Sequence, residues 1–256
     1  MSEFALPRPA FHALTLTGRS LRFGTRNAEA VLVSLVLPVL LMLVFVYFFG
    51  GAIETGTAYV SYVVPGVLVL CAGYGASQAA VSVSADLTSG AVDRFRSLDV
   101  SGFSLLFGHV TAGAVRNVVA TAAVFAVAFA IGFRPQAGPA AWMAALALLL
   151  AYVLAMSWLA ACVGLVARSP EGAGAFTFTV LFLPYPSSAF VPVDTMPGWL
   201  HGFAEHQPVT PLIESLRGLL LAEPVGGTPW VALAWCSGAA LISIAAAGPL
   251  FQRRFR

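Results

Sequence analysis

Of 256 residues, 13 are basic, 11 are acidic and 59% are hydrophobic. Charged residues make up 9%, against the roughly 25% of a soluble domain, and a soluble globule of this length cannot hide so much apolar surface; the composition excludes disordered, collagenous and disulfide-stapled chains and implies an integral membrane protein. Every basic residue is arginine, so the chain has no Schiff-base amine and no G-x-x-x-x-G-K-[ST] loop to cradle nucleotide phosphates.

Residues 9–29 read as an amphipathic helix on the membrane surface. Phe11, Leu14, Gly18 and Leu21 gather on one side, and Arg19, Arg22 and Arg26 share a neighbouring side. Six stretches without a formal charge follow, at 30–53, 55–85, 117–133, 135–167, 172–193 and 224–252. A hydrocarbon core about 30 Å thick takes about 20 helical residues, and backbone groups in lipid must be satisfied within the segment. The pattern therefore predicts an all-α polytopic protein with six spans, at about 30–53, 57–85, 110–133, 138–167, 171–190 and 229–251. The first is too long for a signal-peptide core, so no cleavage is expected. The third is extended back to Val110, which makes Arg116 an anchor reaching to the headgroups or, alternatively, a group at the cytoplasmic mouth. Asn117 beside it is placed for an interhelical hydrogen bond.

Pro184 and Pro186 should disrupt the end of the fifth span, because each removes a backbone donor. Residues 194–228 should hold two short helices opened by Pro197 and Pro211, the second capped by Thr210. Leu212, Leu216, Leu219 and Leu220 recur at helical spacing, so this segment is expected in or against the outer leaflet. Glu205 and His206 read as polar rim residues, with a pH-sensitive pair as the alternative.

Six crossings put both termini on one side, together with Arg8, Arg19, Arg22, Arg26, Arg94, Arg96, Arg116, Arg168, Arg253, Arg254 and Arg256; only Arg134 and Arg217 fall opposite. The bias predicts cytoplasmic termini and puts Trp142, Trp199 and Trp230 at the outer interface. Cys71, Cys162 and Cys236 each sit inside an apolar run and read as small hydrophobes. The histidines show no metal-ligand spacing, so neither metal nor cofactor is expected on this chain.

Three stretches carry a resemblance: RNAEAVLVSLVLPVLLMLVF at 26–45, DLTSGAVDRFRSLDVSGFSLLFGHV at 86–110 and SSAFVPVDTMPGWLHGFAEHQPVTPLIESLRGLLL at 187–221. With the six-span layout they resemble the membrane subunit of an ATP-binding cassette exporter of the type-2 permease family, which includes daunorubicin-resistance permeases. Ala28 and Asp99 stand where family members often have proline. The resemblance implies a bacterial plasma-membrane permease that works as a dimer with two copies of a separate ATPase. ATP and magnesium would bind that partner, and nucleic acid would play no part. It also implies re-entrant and external helices closing the exit at 194–228.

By the same resemblance the cytoplasmic loop 86–109 is the coupling helix. Val92, Phe95 and Leu98 share one face of a short helix there, and Asp93, Arg94 and Arg96 take the others. A solvated positive-inside loop would have the same composition. The resemblance places the pathway along spans two and five. Span five offers Phe178, Phe182 and Tyr185 on one face, and span two offers Cys71, Tyr74 and Gln78. An aromatic face with one amide suits a large hydrophobic or amphipathic ligand, though ordinary helix packing produces such spacing too. The implied activity is export of a drug, antibiotic or natural product by alternating access, with glycolipid or polysaccharide export as the alternative. An ion-coupled carrier would need a mid-membrane ionisable relay, and every Asp and Glu can be placed at an interface or loop. An intramembrane enzyme would need a nucleophile with a base in register, which Ser157, Ser188 and Ser243 lack. A scaffold without transport would leave the long 194–228 segment without a purpose.

Overall fold

The computed structural model describes residues 28–53, 55–89 and 102–254. Arg19, Arg22 and Arg26, and the loop residues Asp93, Arg94, Phe95 and Arg96, lie outside them. Among the described residues all regular structure is helical. The helices are α1 (Ala28–Val44), α2 (Tyr59–Thr88), α3 (Gly102–Ala130), α4 (Pro139–Val166), α5 (Pro170–Phe182), α6 (Gly198–His206), α7 (Val209–Leu221) and α8 (Thr228–Arg254). A π-helical stretch, Phe45–Phe49, continues α1, and a 3-10 turn, Val193–Thr195, precedes α6. By length and composition α2, Phe103–Ala130 of α3, α4 and α8 can each cross a membrane.

The helix ends have local causes. Pro170 opens α5 with its missing donor where no partner is needed, and the Ser169 hydroxyl accepts from the Gly172 amide at 3.1 Å. The α5 helix stops at Phe182, and residues 183–190 are a run of turns containing Pro184 and Pro186. The fifth run is thus a short helix and a non-helical tail rather than a helix to residue 190. The start of α3 lies at Gly102 rather than near Val110, because nothing in 102–109 breaks a helix. Thr210 is not a cap: Pro208 holds that place, and the Thr210 hydroxyl, inside α7, donates to the Ala204 carbonyl of α6.

Helix α2 is the centre of the bundle and packs against α1, α3, α4, α5 and α7, while α8 packs mainly on α4 and α7. Close approach is built on small residues, the usual device where lipid offers no hydrophobic drive between helices. A Cβ on Gly66 would stand 2.8 Å from the Ala189 carbonyl oxygen, and one on Gly164 would stand 2.5 Å from that of Ala80. The pairs give directions: Gly73 beside Tyr152 and Gly164 beside Ala80 make α2 and α4 parallel, whereas Asn117 on Ala72 and His109 on Asp86 make α3 antiparallel to α2.

The bundle therefore has two ends. At the capped end α7, with α6 packed on it, covers the start of α2, and at the loop end α2 finishes and α3 begins. The apolar face of α7 turns into the bundle: Leu212, Ile213, Leu216 and Leu220 are fully buried against α2, α4 and α8. It is α6 that turns Trp199 and Phe203 away from the protein.

Candidate functional site

The six residues expected along the pathway separate into three groups. Phe178 and Phe182 lie on the open face of α5, 66% and 60% exposed. Tyr74 and Gln78 are half-buried on α2. Cys71 is buried in the core, one turn nearer the capped end. The hydrogen bond that joins α2 to α5 comes from neither set but from Ser77 and Thr177, 3.1 Å apart.

Helix α2 changes character along its length. Every residue from Tyr62 to Gly73 is buried. From Tyr74 onward a half-open stripe appears, through Gly75, Gln78, Ser82 and Asp86 to the loop end. The surface of α2 is thus wrapped shut at the capped end and partly open at the other.

Phe182 and Tyr185 belong to a larger ring cluster at the capped end. Their centroids are 5.7 Å apart, Tyr185 meets Phe190 at 5.2 Å, and Phe190 stacks on Phe45 at 4.1 Å. Phe45 opens the π-helical stretch, and π-bulges recur at functional sites. Sequence spacing could nominate Phe182 and Tyr185 as neighbours on one helix, but Phe45 and Phe190 lie far from each other in the chain and carried no local signal.

Segment 183–190 is non-helical backbone at the covered end of an apolar bundle, where unsatisfied carbonyls are expensive. Four carbonyls at alternate residues each receive a side-chain donor. Ser187 Oγ donates to Pro184 O at 2.5 Å, Gln207 Nε2 to Pro186 O at 2.5 Å, Arg217 Nη2 to Ser188 O at 2.5 Å and Tyr59 OH to Phe190 O at 2.9 Å. Arg217 also donates from Nε and Nη2 to Tyr62 O, at 3.3 and 3.2 Å, and its Cζ lies 3.7 Å from the Tyr62 ring centroid. Burial pulls the Arg217 pKa below its ordinary value, and Tyr62, Glu214 and Glu223 push it back up. A guanidinium stays charged in either case.

At the loop end His109 Nε2 lies 3.1 Å from Asp86 Oδ2, the imidazole buried and the carboxylate half-buried. The pair ties the end of α2 to α3 and so closes the base of the loop between them. Arg116 sits midway along the 29-residue α3, half-buried, with Nη2 lying back over Gly113 toward the loop end. Asn117 donates Nδ2 to the Ala72 carbonyl at 2.7 Å, the interhelical bond its position suggested. Glu205 and His206 are both exposed, and His206 Nδ1 faces the Gly202 carbonyl.

The sequence profile of the ABC-2 type transporter family matches residues 12–221. The chain belongs to this family. A daunorubicin resistance ABC transporter permease protein of Streptomyces coeruleorubidus is 31% identical over 222 residues, covering 86% of this chain and 77% of its own. A probable doxorubicin resistance ABC transporter permease protein of Mycobacterium tuberculosis, from two strains, is 28% identical over 239 residues, covering 91% of this chain and 86% of its own. As an ABC-2 permease the chain is a membrane subunit, and the match takes in α1 to α7, including the ring cluster and Arg217.

Proposed function

We propose that this permease is the transmembrane subunit of an ATP-driven exporter that moves a hydrophobic or amphipathic compound out of the cytoplasm or inner leaflet. The observation that carries the proposal is the family match over residues 12–221, together with relatives named for resistance to daunorubicin and doxorubicin. Two copies of the permease would work with two copies of a separate ATPase by alternating access. The asymmetry of α2 supports this, since a path open at the loop end and shut at the capped end is the resting form an exporter needs.

In the membrane α1 with its π-helical continuation, and α5 with segment 183–190, complete six spans. The α5 helix alone, 13 residues, is only about 20 Å long, so it needs that non-helical tail to approach the far interface. Arginine placement puts the loop end in the cytoplasm and the capped end outside. The ATPase then engages the loop around Asp93, Arg94, Phe95 and Arg96, and the Asp86–His109 pair holds the base of that loop. Arg116, reaching back toward Gly113, anchors α3 to the inner interface, as Arg19, Arg22 and Arg26 do for the surface helix. Substrate passes Tyr74 and Gln78 on α2 and leaves past Phe178, Phe182 and Tyr185. Cys71, inside the wrapped half, would meet substrate only while that half is open.

The test is charge reversal in the loop. Arg94→Glu with Arg96→Glu should abolish drug-stimulated ATPase activity of the reconstituted complex, while the permease still inserts in normal amount. Unchanged doxorubicin transport in that double variant removes the docking assignment.

A further inference from the structure

Of the donors that hold segment 183–190, three are neutral: Ser187, Gln207 and Tyr59. Arg217 differs in two respects. It alone grips two elements at once, taking Ser188 O of the segment and Tyr62 O of α2. Its direct partners are also not carboxylates: among the described residues no ion pair is formed with it, Glu214 and Glu223 act on it only from a distance, and its contacts are carbonyl oxygens and the Tyr62 ring face.

A permanent pin would not need a charge there, because neutral donors hold the other three carbonyls. A charge becomes useful when the group has a second place to go. Glu214 lies three residues earlier on α7, within reach along the same helix face, and it is exposed. The Arg217 side chain is only half-buried and Glu214 is exposed, so moving to that carboxylate does not carry the charge deeper into the bundle.

We propose that Arg217 is a releasable latch. With the guanidinium on the Ser188 and Tyr62 carbonyls the capped end is shut; when it swings back to Glu214, segment 183–190 comes free of α2 and the exit opens. Arg217 is a positioning residue that acts through the segment. The proposal rests on the exporter reading in taking the capped end as the exit.

The test places a reporter thiol in the segment with Ser188→Cys and follows maleimide labelling of the purified complex in lipid nanodiscs, where both membrane faces meet the reagent. The native Cys162 and Cys236, buried on α4 and α8, report general loosening in the same sample, and Cys71 of the wrapped half is replaced by Ala throughout. In the parent, labelling should be slow without nucleotide and rise during ATP turnover. Adding Arg217→Gln should make it about tenfold faster without nucleotide, the scale of losing one hydrogen bond from a charged donor, with the native thiols still protected. Arg217→Lys, which keeps the charge but loses the fork, should fall between. Glu214→Gln, which removes the second resting place and leaves the Arg217 bonds to both carbonyls intact, should slow the ATP-driven rise; the Ser188→Cys reporter has already removed the Ser188 hydroxyl that Glu214 faces.

Labelling of Arg217→Gln at the parental rate, or equal labelling of the native thiols, overturns the latch. If Arg217→Gln fails to insert, Glu214→Gln carries the test alone, and an unchanged ATP-driven rise in it overturns the latch. A parent in which ATP changes nothing contradicts the exporter reading instead, and leaves the nucleotide-free comparison of Arg217→Gln with the parent intact.

Discussion

Helices α2 and α8 are hard to tell apart as strings of residues. They run to 30 and 27 residues, each holds a proline in its interior, Pro65 and Pro249, and both pass the length and hydropathy needed to cross a bilayer. In the fold they are opposites. Within the most apolar stretch of each, 78% of residues are buried in α2 and 22% in α8. The glycines show the difference best. Gly66, Gly73 and Gly75 of α2 lie against Ala189, Tyr152 and Asn117 of other elements, whereas nothing stands within 4 Å of a Cβ on Gly238 or Gly248 of α8. Apolar content tells that a segment belongs in the membrane; only the partner surface tells whether it belongs at the centre.

The widest separation between the two helices should come from adding bulk at their contacts. Gly164 of α4 faces α2 so closely that a Cβ meets the Ala80 backbone, and backbone cannot rotate away. Gly164→Leu should cost about 3 kcal/mol or prevent folding, as overpacking at a backbone contact does. Gly238→Leu on α8 should be near neutral. Fluorescent size-exclusion profiles of the two variants in detergent would show it; a monodisperse Gly164→Leu peak at parental yield would remove α2 from the centre.

A smaller separation is expected from polar contacts. Asn117→Leu keeps the shape and deletes the bond to Ala72, for a loss of about 1 kcal/mol, since interhelical hydrogen bonds in membranes are modest. Cys162 Sγ donates to the Ser243 carbonyl of α8 at 3.1 Å, and a thiol is a weak donor, so Cys162→Ser should change little. Thermal midpoints of the two variants, measured side by side, check the order.

What could be read from residues alone follows the same division. Apolar runs located the helices, and the prolines at 184 and 186 marked where α5 fails. The surface that the α7 leucines meet was not legible, because a leucine stripe looks the same whether lipid or protein covers it. Arg217 was read only as an outer charge, since its partners Tyr62 and Ser188 lie 155 and 29 residues away and no spacing rule reaches them. The Asp86–His109 contact escaped for the same reason, although both residues were seen as the ends of one loop.

The subtlest difference concerns exposed residues. Phe182 on α5 and Ile242 on α8 are 60% and 72% exposed, so neither supports the fold of the single chain, and truncating either should leave stability within about 0.5 kcal/mol. Their surroundings differ. Phe182 touches Tyr185 and, through it, Phe190 and Phe45, on a helix packed against α2. Ile242 lies on the bundle's periphery, on the least buried of the long helices. If the ring cluster lines the exit, Phe182→Ala should reorder the relative transport of several compounds, with planar aromatic ones losing most because stacking goes with the ring. Ile242→Ala should leave the order unchanged. Two equal profiles would mean that α5, like α8, turns that face to lipid, and the path would then have to run along the Tyr74 and Gln78 stripe of α2 without help from the rings.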